Sequence, residues 1–293
     1  MFVFKAAVVG AGTMGGEIAQ VIAAAGIPVV LKDVKQEFVD TGLEKARQVS
    51  QGQLAGLVAK EKITQDDADR QLEEIAGRIT GTTAYEGFGD MDFVIEAVPE
   101  RMGIKQDVFE ELDGVTPGHA ILASNTSSLS ITEMAEATTR PDKVCGFHFF
   151  YPASMMRLIE VIEGEETSEE TMQAAANFAQ AIRKTAVRCG EVPGFVVNRI
   201  LNSAVSEVWR VTEEEGLDVK EVDEVIKESG TVPMGPFFLT DLLGLDTVLH
   251  VAEHLRDSYG PERFYVSSRM KELVEAGDLG LKTGKGFYEH GSQ

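Results

Sequence analysis

Three observations predict an α/β chain: a doubly wound, mostly parallel sheet followed by an all-helical domain. Short continuous apolar runs alternate with helical repeats through the first 190 residues. After 191-EVPG-194 the strand signals stop and helical patterns carry on to the end. A glycine cluster, 10-GAGTMG-15, joins the first apolar run directly to the first helical repeat.

The run from Phe4 to Gly10 reads as a strand covered on both faces, because it is apolar without alternation. Met14, Ile18, Val21, Ile22 and Ala25 then recur at helical spacing until Gly26 and Pro28 interrupt them, and Val29 to Asp33 begins a second strand, which completes a βαβ unit. Residues 36–78 form a long charged excursion with helical character. Alternation resumes with strands at Asp92 to Val98 and Ala120 to Ala123, a helix between them, and further strands at Val144 to Phe149, Arg157 to Ile162 and Ala186 to Cys189. The pattern Thr167-Ser168-Glu169-Glu170 marks a helix start of the capping-box type. Beyond residue 190 helices are expected over Phe195 to Glu215, Val219 to Glu228, Leu239 to Leu255 and Ser267 to Glu275. Residues 1–190 and 191–293 are thus expected to be two domains, the second small enough that its apolar faces call for a partner.

Composition removes several function classes. Lys and Arg total 27 against 48 Asp and Glu, a net charge of −21 that repels nucleic acid. No apolar run reaches the roughly 20 residues of a membrane span, and MFVFKAAVVGAG carries no charged leader or cleavage site, which points to a cytoplasmic protein. Cys145 and Cys189 alone do not make a disulfide framework; both read as buried thiols in a reducing compartment.

The cluster Gly10-Ala11-Gly12-Thr13-Met14-Gly15 fits G-x-G-x-x-G in the context that gives the motif its meaning, a buried strand before it and an amphipathic helix after it. Gly10 permits the tight turn, Gly12 admits a pyrophosphate to the backbone, Gly15 lets helix and strand approach, and the helix N-terminus offers N–H groups. This predicts a Rossmann-type domain. Asp33, at the end of the second strand, is placed to accept the adenine ribose hydroxyls and to repel a 2′-phosphate, so the cofactor is NAD, although Lys32 and Lys35 flank it.

In 146-GFHFFYPASMMRLIEVIEG-164, His148 falls at a strand end where such sheets bind ligands, and Glu160 interrupts an apolar strand twelve residues on. Were the two strands antiparallel neighbours, the carboxylate would reach the imidazole, fix its tautomer and stabilise its protonated form, as a general base requires. The run 124-SNTSSLS-130 follows another strand; Ser130 and Glu133 make a capping box, which leaves Asn125 to Ser128 in a loop at the same end of the sheet.

GAGTMG, SNTSS, GFHFF, LIEVIE, PGFVVNRIL and GLKTGKGFY, in this order over essentially the whole chain, resemble the L-3-hydroxyacyl-CoA dehydrogenase family. The resemblance implies interconversion of a 3-hydroxyacyl-CoA and a 3-ketoacyl-CoA with NAD, with a catalytic pair at His148 and Glu160 and with Ser127 and Asn198 bonded to the substrate. It also implies cofactor contacts at Glu100 and Lys105, a helical arm over the CoA moiety in which Lys60 and Lys62 are candidate phosphate contacts, and a homodimer through the C-terminal helices. Where the family often reads HFFNP, this chain has Tyr151, which bears on acyl-chain preference.

Other readings stay open on residues alone. A dehydrogenase of small free hydroxy acids or sugar acids shares the glycine loop and trailing helices, and a non-catalytic dinucleotide binder, like the family's lens-crystallin relatives, shares the scaffold. His250-Val251-Ala252-Glu253-His254 matches an inverted zinc-protease pattern, yet no third ligand is evident, and no metal is expected.

Overall fold

A computed structural model describes residues 2–291. The chain divides into two units, Met1–Glu191 and Val192–Gln293. In the first, β1 (Ala6–Val9) leads to α1 (Thr13–Ala24) and β2 (Val29–Lys32); α2 (Gln36–Ala59) and α3 (Gln65–Ala76) precede β3 (Ile79–Thr82). Then come β4 (Phe93–Glu96), α4 (Met102–Val115), β5 (Ile121–Ser124), α5 (Ile131–Ala135), β6 (Val144–Phe149), β7 (Leu158–Glu163), α6 (Glu169–Ala181) and β8 (Thr185–Gly190).

The eight strands form one sheet in the order β3-β2-β1-β4-β5-β6-β7-β8. All pairs are parallel except β6 with β7. Chain order reverses between β1 and β4, the switch point at which such sheets bind ligands beyond the carboxyl ends of their strands.

Helices on both faces explain the strand compositions: every residue of β1, β4, β5 and β6 is buried, so these strands are apolar without alternation. Phe93 of β4 and Phe147 of β6 meet edge-on at 5.1 Å between ring centroids, and Phe178 of α6 lies 4.6 Å from Phe93. This aromatic cluster ties the middle of the sheet to its covering helix.

Three details differ from the sequence reading. The edge strand β3 was not anticipated, since Ile79-Thr80-Gly81-Thr82 is short, polar and only half-buried; a side chain at Gly81 would come within 2.5 Å of Val39 on α2. The cap of α6 is Ser168 rather than Thr167: Ser168 Oγ accepts the Thr171 N–H, while Thr167 Oγ1 donates to the Val144 carbonyl at 2.7 Å. Cys145 is fully buried, and burial pushes its thiol up to about 12, but Cys189 on the edge strand is only half-buried.

The second unit consists of α7 (Val197–Glu215), α8 (Val219–Glu228), α9 (Pro236–Leu243), α10 (Leu245–Tyr259) and α11 (Ser268–Glu275), packed around Trp209, Phe237, Leu245, Met270 and Phe287. The single helix expected over Leu239 to Leu255 is two, because Gly244 between them has φ +93°, which a helix cannot continue through. No helix among the described residues is long and apolar enough to cross a membrane.

Candidate active site

The carboxyl ends of β1, β4, β5 and β6 lie side by side, and each delivers part of the site. Beyond β1, Gly10 adopts φ +103°, open to glycine alone at little cost. A side chain at Gly15 would put its Cβ 1.7 Å from the Gly10 carbonyl oxygen, so the tight junction of strand and helix depends on that glycine. Gly12 is different: a Cβ there would meet nothing within 4 Å. Packing does not call for a glycine at that position, whereas close approach of a ligand would. Gly12 and Thr13 are exposed, no side chain caps α1, and Met14 packs against the core. Asp33, just past β2, accepts the Ala11 N–H at 2.7 Å and the Val34 N–H at 2.6 Å, which fixes the loop while leaving further acceptor capacity on the carboxylate. An uncapped helix N-terminus beside an acid with spare acceptor capacity fits a dinucleotide.

At β6 the register puts His148 directly opposite Glu160 of the antiparallel β7. Their side chains meet, His148 Nδ1 to Glu160 Oε2, at 2.9 Å. Glu160 is fully buried and His148 nearly so. An ionised Glu160 carboxylate can only accept, an arrangement in which the hydrogen of this bond sits on Nδ1. The loop after β5 is tied to the end of β6 beside His148, because Asn125 Oδ1 accepts the Phe149 N–H at 2.8 Å.

Between these two parts lies an ionic network. Lys105, in the first turns of α4, is fully buried; it donates to Glu96 at 2.7 and 2.9 Å and lies 3.1 Å from Glu100. Glu96 also accepts from Ser124 Oγ at 2.6 Å and from the Val98 N–H at 2.6 Å. Glu100 accepts from Thr126 Oγ1 at 2.6 Å and from the Ser127 N–H at 3.0 Å, with the Ser127 hydroxyl at 3.4 Å. Burial pushes the Glu100 carboxyl up, but the Lys105 charge and the Thr126 and Ser127 hydrogen bonds outweigh it and hold the group below the usual carboxylate range. Glu96 was missed by the sequence reading, although an acid inside the apolar run 92-DFVIEAV-98 carries the same signal as Glu160.

The loop after β6 is anchored from beneath. Ser154 donates its N–H to the buried Glu17 at 3.2 Å, and Lys184 donates to the Ala153 and Met156 carbonyls. Tyr151 in this loop is exposed.

The remaining candidates belong to other elements. Lys60 and Lys62 are exposed at the turn from α2 to α3. Asn198 belongs to the second unit, in the first turn of α7, where its carbonyl accepts the Asn202 side-chain amide at 2.9 Å. His250 and His254 lie on α10, with Glu253 between them paired to Lys271 at 3.1 Å. No group of three or more metal-ligating side chains gathers among the described residues.

Comparison with known proteins accords with these features. The family model described as 3-hydroxyacyl-CoA dehydrogenase, NAD binding domain, matches residues 5–192, and that of the C-terminal domain of the same family matches 194–290. A protein named probable 3-hydroxybutyryl-CoA dehydrogenase from Deinococcus radiodurans is 41% identical, with 98% of this chain and 100% of that protein aligned. A 3-hydroxybutyryl-CoA dehydrogenase of Clostridioides difficile is 42% identical over 98% of this chain and 99% of its own. Among solved structures, (S)-3-hydroxybutyryl-CoA dehydrogenase from Ralstonia eutropha superposes with a TM-score of 0.91 at 37% identity, covering 99% of this chain and 100% of that one. With both domain models matched in order over nearly its whole length, the chain belongs to the 3-hydroxyacyl-CoA dehydrogenase family and is an NAD-dependent oxidoreductase.

Proposed function

We propose that the protein interconverts short-chain L-3-hydroxyacyl-CoA and 3-ketoacyl-CoA esters, with His148 as the proton carrier and Glu160 as its support. The observation that carries this reading is the direct cross-strand pairing of His148 with a buried acid, at the sheet end that also bears the glycine loop. NAD, when bound, supplies the acceptor and donor of the hydride exchanged with carbon 3. Nε2 of His148 takes the substrate hydroxyl proton in oxidation and returns it in reduction. Glu160 stabilises the resulting imidazolium and keeps Nδ1 from turning away. Ser127, and Asn198 from the second unit, hydrogen-bond the reacting oxygen. Glu100 and Lys105 frame the nicotinamide half of the cofactor, and Asp33 accepts the adenine ribose hydroxyls.

Short acyl chains are favoured because the relatives reported above are named for the 3-hydroxybutyryl ester. Lys60 and Lys62 are proposed to meet the CoA phosphates, since both are exposed on the helical arm. The second unit exposes Ile200, Val225, Leu242 and Leu243, which supports a homodimer through its helices. A cytoplasmic location is proposed from the absence of a membrane-spanning helix among the described residues.

The test is a series of 3-ketoacyl-CoA substrates of rising chain length, assayed with NADH and NADPH in parallel. The expected optimum is at four carbons with NADH, with NADPH slower by at least about tenfold because Asp33 repels the 2′-phosphate. Turnover of free acetoacetate in preference to its CoA ester would establish the free hydroxy-acid reading instead, and no turnover of any substrate would leave a non-catalytic dinucleotide binder.

A further inference from the structure

Glu96 takes no part in the proton chemistry proposed above, yet it is the most heavily bonded side chain of the site. It is the last residue of β4, fully buried, and opposite both Val9 of β1 and Ser124 of β5. Its carboxylate takes two hydrogen bonds from Lys105, one from the Ser124 hydroxyl and one from the Val98 N–H. Burying an ion pair is costly, and a chain retains one where it sets a geometry or a charge.

The charge count of the cluster is informative. Two carboxylates, Glu96 and Glu100, share one ammonium. Lys105 sits closer to Glu96, at 2.7 and 2.9 Å, than to Glu100, at 3.1 Å. Glu96 thereby offsets the lysine charge inside the protein, and the cluster, with one net negative charge, meets solvent at Glu100, whose side chain is 38% exposed. Chain order reverses between β1 and β4, and Asp33 beside β2 marks the adenine half, so the second nucleotide of a dinucleotide crosses to the β4 and β5 side, where Glu100 stands. The oxidised and reduced forms of NAD differ there by one positive charge on the nicotinamide ring.

We propose that Glu96 is a positioning residue that, by engaging Lys105, leaves the cluster a net negative charge at Glu100, which shifts binding toward the oxidised cofactor relative to the reduced one. The groups are fixed by packing before the cofactor arrives, so the preference needs no rearrangement. This rests on the NAD reading of the glycine loop.

The experiment measures dissociation constants for NAD⁺ and NADH with the intact protein, by calorimetry and by NADH fluorescence, in the unaltered protein and in Glu96→Gln, Glu100→Gln and Ser124→Ala. Each Gln variant removes one negative charge at a different point of the cluster. Ser124→Ala removes a hydrogen bond from the same carboxylate without changing charge. The expected result is that the ratio of the NAD⁺ to the NADH dissociation constant rises roughly three- to tenfold in both Gln variants, as loss of a unit charge several ångströms away implies, and stays put in Ser124→Ala. Equal weakening of both cofactors in the Gln variants, or an equal ratio change in Ser124→Ala, would overturn the proposal and leave Glu96 a structural group. If Glu96→Gln fails to fold, Glu96→Asp takes its place: the shorter carboxylate draws back from Lys105 and frees the ammonium for Glu100, so a raised ratio is expected and an unchanged ratio would overturn the proposal. Failure of the unaltered protein to bind either cofactor would remove the NAD reading itself, a result distinct from a changed ratio.

Discussion

His148→Gln is expected to lower the rate of acetoacetyl-CoA reduction by at least about a hundredfold, about 2.7 kcal/mol in activation free energy, while NADH binding stays within about twofold of the unaltered protein. Glutamine matches the imidazole roughly in size and can still bond Glu160, so β6 and β7 keep their register. It cannot carry a proton between substrate and solvent at neutral pH. The glycine loop and Asp33 lie at β1 and β2, two strands or more from His148, so cofactor affinity has no reason to fall. Steady-state kinetics together with an NADH fluorescence titration check both halves of the expectation. A rate within a few fold of normal would remove His148 from the chemistry.

Gly15→Ala is expected to be nearly as damaging, through cofactor binding rather than proton transfer. The added Cβ would lie 1.7 Å from the Gly10 carbonyl oxygen and 3.5 Å from Val8 Cγ1. The obstruction is backbone, which cannot swing aside as a side-chain end does, so α1 must move off β1 and the loop must open. Overpacking of this kind costs on the order of 3 kcal/mol, and NADH affinity should fall at least about tenfold with a loss of several degrees in Tm. Gly12→Ala is the instructive contrast. Its Cβ would meet no protein atom within 4 Å, so stability should hold while NADH binding weakens. A melting curve and an NADH titration on both variants separate the two cases.

What could be read from the amino-acid order follows from how strongly burial constrains each residue. An acid in the middle of Leu158-Ile159-Glu160-Val161-Ile162 demands a partner, since an unpaired buried carboxylate is prohibitively costly. His148, twelve residues earlier at a strand end, was the one partner a hairpin could supply, and the register bears this geometry out. The same logic applies to Glu96, and the difference lies in its partner: Lys105 is nine residues away across a strand-to-helix connection, on a helix turn that looks solvated when only its neighbours in sequence are considered. Glu17 and Lys184 were hidden for a similar reason, since each anchors the loop after β6 from an element distant in sequence.

Short polar elements were equally hard to read. The edge strand β3 holds its place by parallel pairing to β2 and by the fit of Gly81 under α2, neither of which leaves an apolar pattern. In the second unit the apolar repeat runs unbroken through Leu242, Leu243 and Leu245, so periodicity alone joined α9 to α10, and only the backbone at Gly244 separates them. Asn198 and Lys60 carry no physical signal of their own at the level of sequence; each was singled out by resemblance to the family.

The central claim is that Glu160 holds His148 in the tautomer that leaves Nε2 able to take a proton. Nitrogen-15 NMR of the histidine-labelled protein, with His148 assigned by comparison with His148→Gln, reads this directly above the pH at which the imidazole deprotonates. The account predicts a neutral ring with hydrogen on Nδ1 and a bare Nε2, and a shift toward the ordinary mixture of tautomers in Glu160→Gln. A neutral ring protonated on Nε2 in the unaltered protein would contradict it.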